Sequence, residues 1–281
     1  MIPANFDYES PRSLNEALEL LASREDAKVL AGGHSLLPAM KLRLAQPATL
    51  IDIGRIGGLS YIREAGNKIS IGAMTTHADI AKSQVLLQSS PLLALAAAQI
   101  GDTQVRNRGT IGGSLAQAHP AADYPAAILA LDAEIVAHSK NGERVIPVGK
   151  FFEGMFTTAL RPDEILTEIR VPKTLGERVG YKKFHHPASG YAVVGVAVRV
   201  KLSGATIESA AVGITGVSHI AYRAAAVEGT LRGKTVSALQ DASDHAADGV
   251  DAIGDTFASA EYRIHLASVM TRRTLTEALG D

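Results

Sequence analysis

Ala31-Gly32-Gly33-His34-Ser35 and Thr110-Ile111-Gly112-Gly113-Ser114 carry most of the fold information in this chain. Each follows a short apolar stretch and joins two glycines to a hydroxyl residue, and about eighty residues separate them. Glycine lets the main chain turn through conformations closed to other residues and approach a ligand closely. Successive backbone N–H groups can then point into one concavity and hold phosphate oxygens. Two such loops could grip both phosphates of one dinucleotide. Taken singly, either Gly-Gly reads first as a tight turn. The glycine fingerprints of a Rossmann domain and of a P-loop ATPase are both absent from the sequence.

Around these loops the pattern is mixed. Leu14, Ala17, Leu18 and Leu21 have helical spacing, and Ser13 followed by Glu16 reads as a capping box. Lys28 to Ala31 is a short strand running into the first loop; Thr49 to Ile53 and Lys68 to Ile71 are the next strands, punctuated by Gly57-Gly58 and Gly66-Asn67. Pro91 to Ile100 reads as a buried helix with proline in its first turn, and a further helix runs from about Asp123 to Leu131. Ala133 to His138 and Glu143 to Pro147 form a hairpin across Asn141-Gly142. After a connection around Pro172 to Gly176 come two long strands, Tyr191 to Leu202 and Ala205 to Ile214, and a mostly helical tail whose longest segment is Ala258 to Leu279. The order is α+β rather than strict βαβα alternation.

Composition narrows the chemistry. At 281 residues, 46% hydrophobic and 20% charged, the chain has ample core for one to three domains. A net charge of −1 gives no reason to propose nucleic acid or an anionic membrane as partner. No basic and then apolar leader opens the chain, and no apolar run approaches the roughly 20 residues of a membrane span, so the expectation is a soluble, cytosolic protein without an integral membrane segment. The absence of cysteine excludes disulfides, thiolate nucleophiles and cysteine-ligated iron–sulfur clusters within this polypeptide. The nine histidines show no metal spacing.

Gln104-Val105-Arg106-Asn107-Arg108-Gly109 leads into the second loop, and Ala118-His119-Pro120-Ala121-Ala122-Asp123-Tyr124-Pro125 follows it. With Ala-Gly-Gly-His-Ser-Leu-Leu-Pro at 31–38, Asp-Glu-Ile-Leu at 163–166 and Tyr-Lys-Lys-Phe at 181–184, the chain resembles the FAD-binding medium subunit of the molybdenum hydroxylases, the group of carbon monoxide and xanthine dehydrogenases. The resemblance implies an FAD-binding fold of two α/β subdomains, vanillyl-alcohol-oxidase-like, at 1–58 and 59–174, with a C-terminal sheet-and-helix subdomain at 175–281. It implies that Lys28, Val29, Leu30, Ala31, Gly32, Gly33, His34, Ser35 and Leu36 wrap the FAD pyrophosphate. Thr110, Ile111, Gly112, Gly113 and Ser114 would hold its other side. Asp123 would accept from the adenosine ribose, Leu166 would pack on the adenine or ring edge, and Ile100 stands where a relative has an aromatic near the cofactor. Lys182 or Lys183 would approach the isoalloxazine or ribitol, without a choice between them, and Tyr191 would cover one ring face. No catalytic residue and no metal ligand is implied. The implied partners are a molybdenum-cofactor large subunit and a 2Fe–2S small subunit, in a dimer of heterotrimers, with electrons leaving for an external acceptor.

Blander readings stand beside these. Asp123 also reads as a helix N-cap, Tyr191 as core, Arg106 and Arg108 as surface charges, and His34 and His77 as structural or near the flavin mouth. A self-sufficient flavin oxidoreductase and a non-catalytic nucleotide-binding assembly protein are the alternative functions.

Overall fold

The computed structural model describes residues 1–280. Its first sheet is parallel, built from β1 (Asp7–Glu9), α1 (Leu14–Ser23), β2 (Ala27–Leu30), α2 (Leu36–Lys41) and β3 (Thr49–Asp52), in strand order β1-β3-β2. Ser13 caps α1 as its spacing predicts, accepting from the Glu16 N–H. The return arm of the capping box differs: Glu16 accepts from the Arg12 N–H at 2.8 Å, one residue before the cap. Ala17 and Leu18 of α1 pack on Ile51, Ile53 and Ile165, which joins this sheet to the next unit.

The second unit opens with the hairpin β4 (Ile62–Ala65) and β5 (Lys68–Gly72). Six short helices follow: α3 (His77–Lys82), α4 (Gln84–Ser89), α5 (Pro91–Ala98), α6 (Thr103–Arg108), α7 (Ile111–Gln117) and α8 (Asp123–Ala130). Then come β6 (Glu134–Ser139), β7 (Gly142–Pro147), the small pair β8 (Phe152–Gly154) and β9 (Thr157–Thr158), and β10 (Ile165–Pro172). The five long strands form one antiparallel sheet, β4-β5-β10-β6-β7, with β10 inserted between the two hairpins. Apolar side chains of α5 and α8, among them Leu92, Leu93, Ile128 and the wholly buried Tyr124, fill the core against Ile69, Ile71 and Ile169. The β6–β7 ladder reaches Ser139 opposite Gly142, so the turn is Lys140-Asn141, one residue earlier than read from the sequence.

The third unit is a four-stranded antiparallel sheet, β11 (Arg178–His185), β12 (Ala192–Ser203), β13 (Thr206–Thr215) and β14 (Tyr222–Arg223), followed by α9 (Ala225–Leu231), α10 (Leu239–Asp244) and α11 (Ala260–Leu279). Valines of β12 and β13 pack beneath α11 through Leu266, Met270 and Leu275. Buried Arg263 fastens that helix by donating to the Val193 and Gly216 carbonyls at 2.6 and 2.7 Å, and to Asp255 at 2.5 Å. Strands β1, β4, β8, β9, β10, β11 and β14 escaped the sequence reading: all but β10 and β11 have four residues or fewer, and β4 is mostly exposed. No helix among the described residues is long and apolar enough to cross a membrane.

Candidate functional site

The turn after β2 leaves a run of main-chain donors free. Gly33 adopts φ +77°, a left-handed conformation that favours glycine. The backbone N–H groups of Gly32, Gly33, His34, Ser35 and Leu36 donate to no acceptor among the described residues. Five consecutive free donors without a carboxylate among them form a cradle of positive potential.

The second Gly-Gly corrects the sequence reading. Residues 111–114 are not a loop but the first turn of α7, capped by Thr110, whose hydroxyl accepts from the Gly113 N–H at 3.2 Å. The Ile111 and Gly112 N–H groups are also spent, on the Thr75 and Ala73 carbonyls at 3.1 and 2.9 Å. Here the glycines serve close packing: a Cβ on Gly112 would stand 2.8 Å from the Ala73 carbonyl oxygen and nearer still to its side chain. What remains for a ligand is the Thr110 and Ser114 hydroxyls rather than a row of amides.

The two segments meet directly. A Cβ on Gly32 would lie 2.8 Å from Gly109 Cα and closer still to the Arg108 carbonyl oxygen. Along this seam runs a cavity of about 830 Å³. Its walls include every residue from Lys28 to Leu36, together with Ile100, Thr110, Gly112, Gly113, Ser114, Asp123, Leu166 and Tyr191. Three residues of the sequence reading do not line it: Ile111, Lys182 and Lys183, the last of which reaches it only through its ion pair with Asp123. Ile111 is wholly buried in the core of the second unit, and Lys182 turns the other way, pairing with Glu277 of α11.

Lys183 lies on the same face of β11 as Tyr181, two residues before it, because strand side chains alternate. Its ammonium is 2.9 Å from Asp123 Oδ1, with both side chains under 5% exposed. The Tyr181 hydroxyl donates to the same oxygen at 2.6 Å, and Lys183 also donates to the Gly190 carbonyl at 2.7 Å. Burial raises the Asp123 pKa, against the opposing pull of Lys183 and Tyr181. Oδ2 has no side-chain partner among the described residues. The N-cap of α8 is Ala122, so the capping reading of Asp123 does not hold. Tyr191 is partly exposed and stacks on His119, ring centroids 4.3 Å apart and planes 13° apart, with Phe156 edge-on to the same imidazole. It is a wall residue, not core.

Sequence reasoning missed the wall residues at 156–162, and gave Glu164 and Ile165 no role although the motif at 163–166 is part of the resemblance. Glu164 lines the cavity at one edge. It accepts from Arg144 Nε and Nη2 at 2.5 and 2.7 Å and from the Arg161 N–H at 2.7 Å. Arg144 also donates to the Ala159 carbonyl at 2.5 Å, so one guanidinium closes the whole turn. That pairing holds the Glu164 pKa below its ordinary value despite burial. A depressed carboxylate stabilises the fold fully above its unfolded pKa, about 4.3, and loses that contribution as pH falls through the lower folded value. Arg144→Met is therefore expected to cost about 3 kcal/mol at neutral pH. The deficit relative to wild type should shrink below about pH 4.3, as urea denaturation across pH 3 to 7 would measure.

The comparisons with known proteins agree along the whole chain. Residues 4–174 match the family described as the FAD binding domain in molybdopterin dehydrogenase, and residues 180–278 the CO dehydrogenase flavoprotein C-terminal domain. The carbon monoxide dehydrogenase medium chain of Hydrogenophaga pseudoflava is 43% identical, over 99% of this chain and 98% of that one. The glyceraldehyde dehydrogenase medium chain of Sulfolobus acidocaldarius is 37% identical, over 99% of each. Among solved structures, carbon monoxide dehydrogenase from H. pseudoflava superposes with a TM-score of 0.96, covering 100% of this chain and 99% of that one. Quinoline 2-oxidoreductase from Pseudomonas putida 86 gives 0.95 at 30% identity, with the same coverage. The free amides and hydroxyls of the seam fit a dinucleotide diphosphate, and the cofactor of this family is FAD. The chain belongs to the FAD-binding medium subunits of the molybdenum hydroxylases, as an oxidoreductase subunit of the carbon monoxide dehydrogenase type.

Proposed function

We propose that this chain is the electron-transferring subunit of a molybdenum hydroxylase complex: its FAD accepts electrons from 2Fe–2S clusters on a small partner subunit and passes them to an external acceptor. The observation that carries the reading is the cavity between the cradle at 32–36 and the hydroxyls of Thr110 and Ser114. FAD, when bound, supplies chemistry that the side chains lack, coupling one-electron and two-electron transfer. The protein's share is binding and orientation. The amides of Gly32 to Leu36 and the Ser35, Thr110 and Ser114 hydroxyls hold the phosphates, and Asp123 Oδ2 accepts from a sugar hydroxyl. Lys183 favours the ionised form of that carboxylate against the effect of burial and holds it in place. Leu166 and Ile100 supply apolar surface, and Tyr191 covers a ring face. The zero-cysteine composition fits a division of labour in which the clusters and the molybdenum cofactor sit on other polypeptides. We extend the reading to a cytoplasmic dimer of heterotrimers, with functional units at 1–58, 59–174 and 175–281.

The test is anaerobic reduction of the complex by its substrate. Flavin absorbance should bleach after the cluster bands, and reconstitution without the small subunit should leave the flavin oxidised. Flavin reduced equally fast without that subunit would overturn the order of transfer.

A further inference from the structure

One polar ring at the seam has no part in the site as described. His77, the first residue of α3, is 4% exposed and lines the cavity. Its Nδ1 is 3.1 Å from the hydroxyl of Tyr124, which is wholly buried and meets no other partner among the described residues. The hydroxyl hydrogen goes to Nδ1, because the reverse arrangement would strand a buried O–H donor. The ring hydrogen is then on Nε2. Burial, with lesser contributions from His34 and Arg106, lowers the His77 pKa to about 4, so the ring is neutral.

Nε2 has no partner among the described residues, and it stands against Gly109: a Cβ there would be 2.5 Å from it. Gly109 lines the same cavity, and its Cα is the point against which Gly32 packs. The free N–H therefore opens where the cradle and the second segment meet, and the bare Cα of Gly109 keeps it open.

We propose that His77 is a further FAD-binding residue, its Nε2–H donating to an oxygen of the cofactor diphosphate. The proposal rests on the FAD site described above. It adds a neutral side-chain donor to a cradle otherwise made of amides and hydroxyls, and it gives Gly109 a function distinct from its packing.

The test is titration of the full chain, assembled with its partners and freed of flavin, with FAD and with riboflavin, which lacks phosphate. His77→Phe should weaken FAD about tenfold and leave riboflavin unchanged. His77→Gln, whose amide can donate, should recover most of the loss, and Gly109→Ala should reproduce it. Nitrogen-15 spectra of the wild type should show His77 protonated at Nε2 and bare at Nδ1, with the Nε2–H resonance moving on FAD addition. This readout decides the matter if His77→Phe does not fold. Equal FAD affinity in wild type and His77→Phe, or a ring protonated at Nδ1, overturns the role of His77 alone. A wild type that takes up no FAD overturns the underlying site and this role with it.

Discussion

Gly32→Ala is expected to weaken FAD binding about 100-fold while leaving the chain folded. The added methyl has no flexible neighbour to displace, since it meets the Arg108 carbonyl oxygen and Gly109 Cα, both backbone. Relief requires the first loop to lift away from the second segment, opening the seam that the diphosphate must bridge. Overpacking of this kind costs about 1–3 kcal/mol, and at the upper end that is about two decades in a dissociation constant. Gly57→Ala is the matched control, because a Cβ there meets nothing within 4 Å and its φ is not left-handed. FAD fluorescence titration of both variants checks the prediction: equal affinity would show that the seam tolerates separation.

Asp123→Asn is expected to be the most destabilising isosteric change in the site. It removes the negative charge opposite an ammonium that is 3% exposed and leaves Lys183 only neutral acceptors, the new amide oxygen at position 123 and the Gly190 carbonyl. Breaking a buried pair from one side costs about 3–5 kcal/mol, because the stranded charge keeps its desolvation penalty. For a chain of this size that lowers Tm by about 10 °C. The double substitution Asp123→Asn with Lys183→Met should regain most of the lost stability yet not the FAD affinity, since Asp123 Oδ2 is gone. Calorimetry of the three variants beside FAD titration separates the two roles. A double variant no more stable than Asp123→Asn would mean that the pair is not the source of the cost.

Local signals in the sequence were legible wherever one residue type has one reason to be present. The Ser13 cap, proline opening α5 and the β6–β7 hairpin each follow from backbone chemistry within a few residues. The cradle at 31–35 was legible for the same reason. The second Gly-Gly was not, because two glycines at a helix start each cost about 1 kcal/mol in propensity, and the reasons for them are contacts elsewhere: Ala73 against Gly112, and the Thr110 hydroxyl and Ala31 against Gly113. Lys182 and Lys183 could have been separated by strand alternation once Tyr181 was assigned inward, but Asp123 as the partner lies 60 residues away and left no local trace. His77 likewise depends on Tyr124 and Gly109, brought to it by the six helices between β5 and β6 of one sheet.

The insertion of β10 between β5 and β6 sets an order of events during synthesis. As the nascent chain emerges, the two hairpins β4–β5 and β6–β7 form first, and each faces the other across a missing strand. Until residues 165–172 leave the ribosome, both inner edges are unpaired, which is the state most exposed to pairing with a neighbouring chain. The same strand brings Leu166 to the cavity wall and the Thr167 carbonyl that accepts from Ala73. The cavity wall therefore stays open until β10 and, further along the chain, Tyr191 have both been made, so the pocket is among the last features of the fold to close.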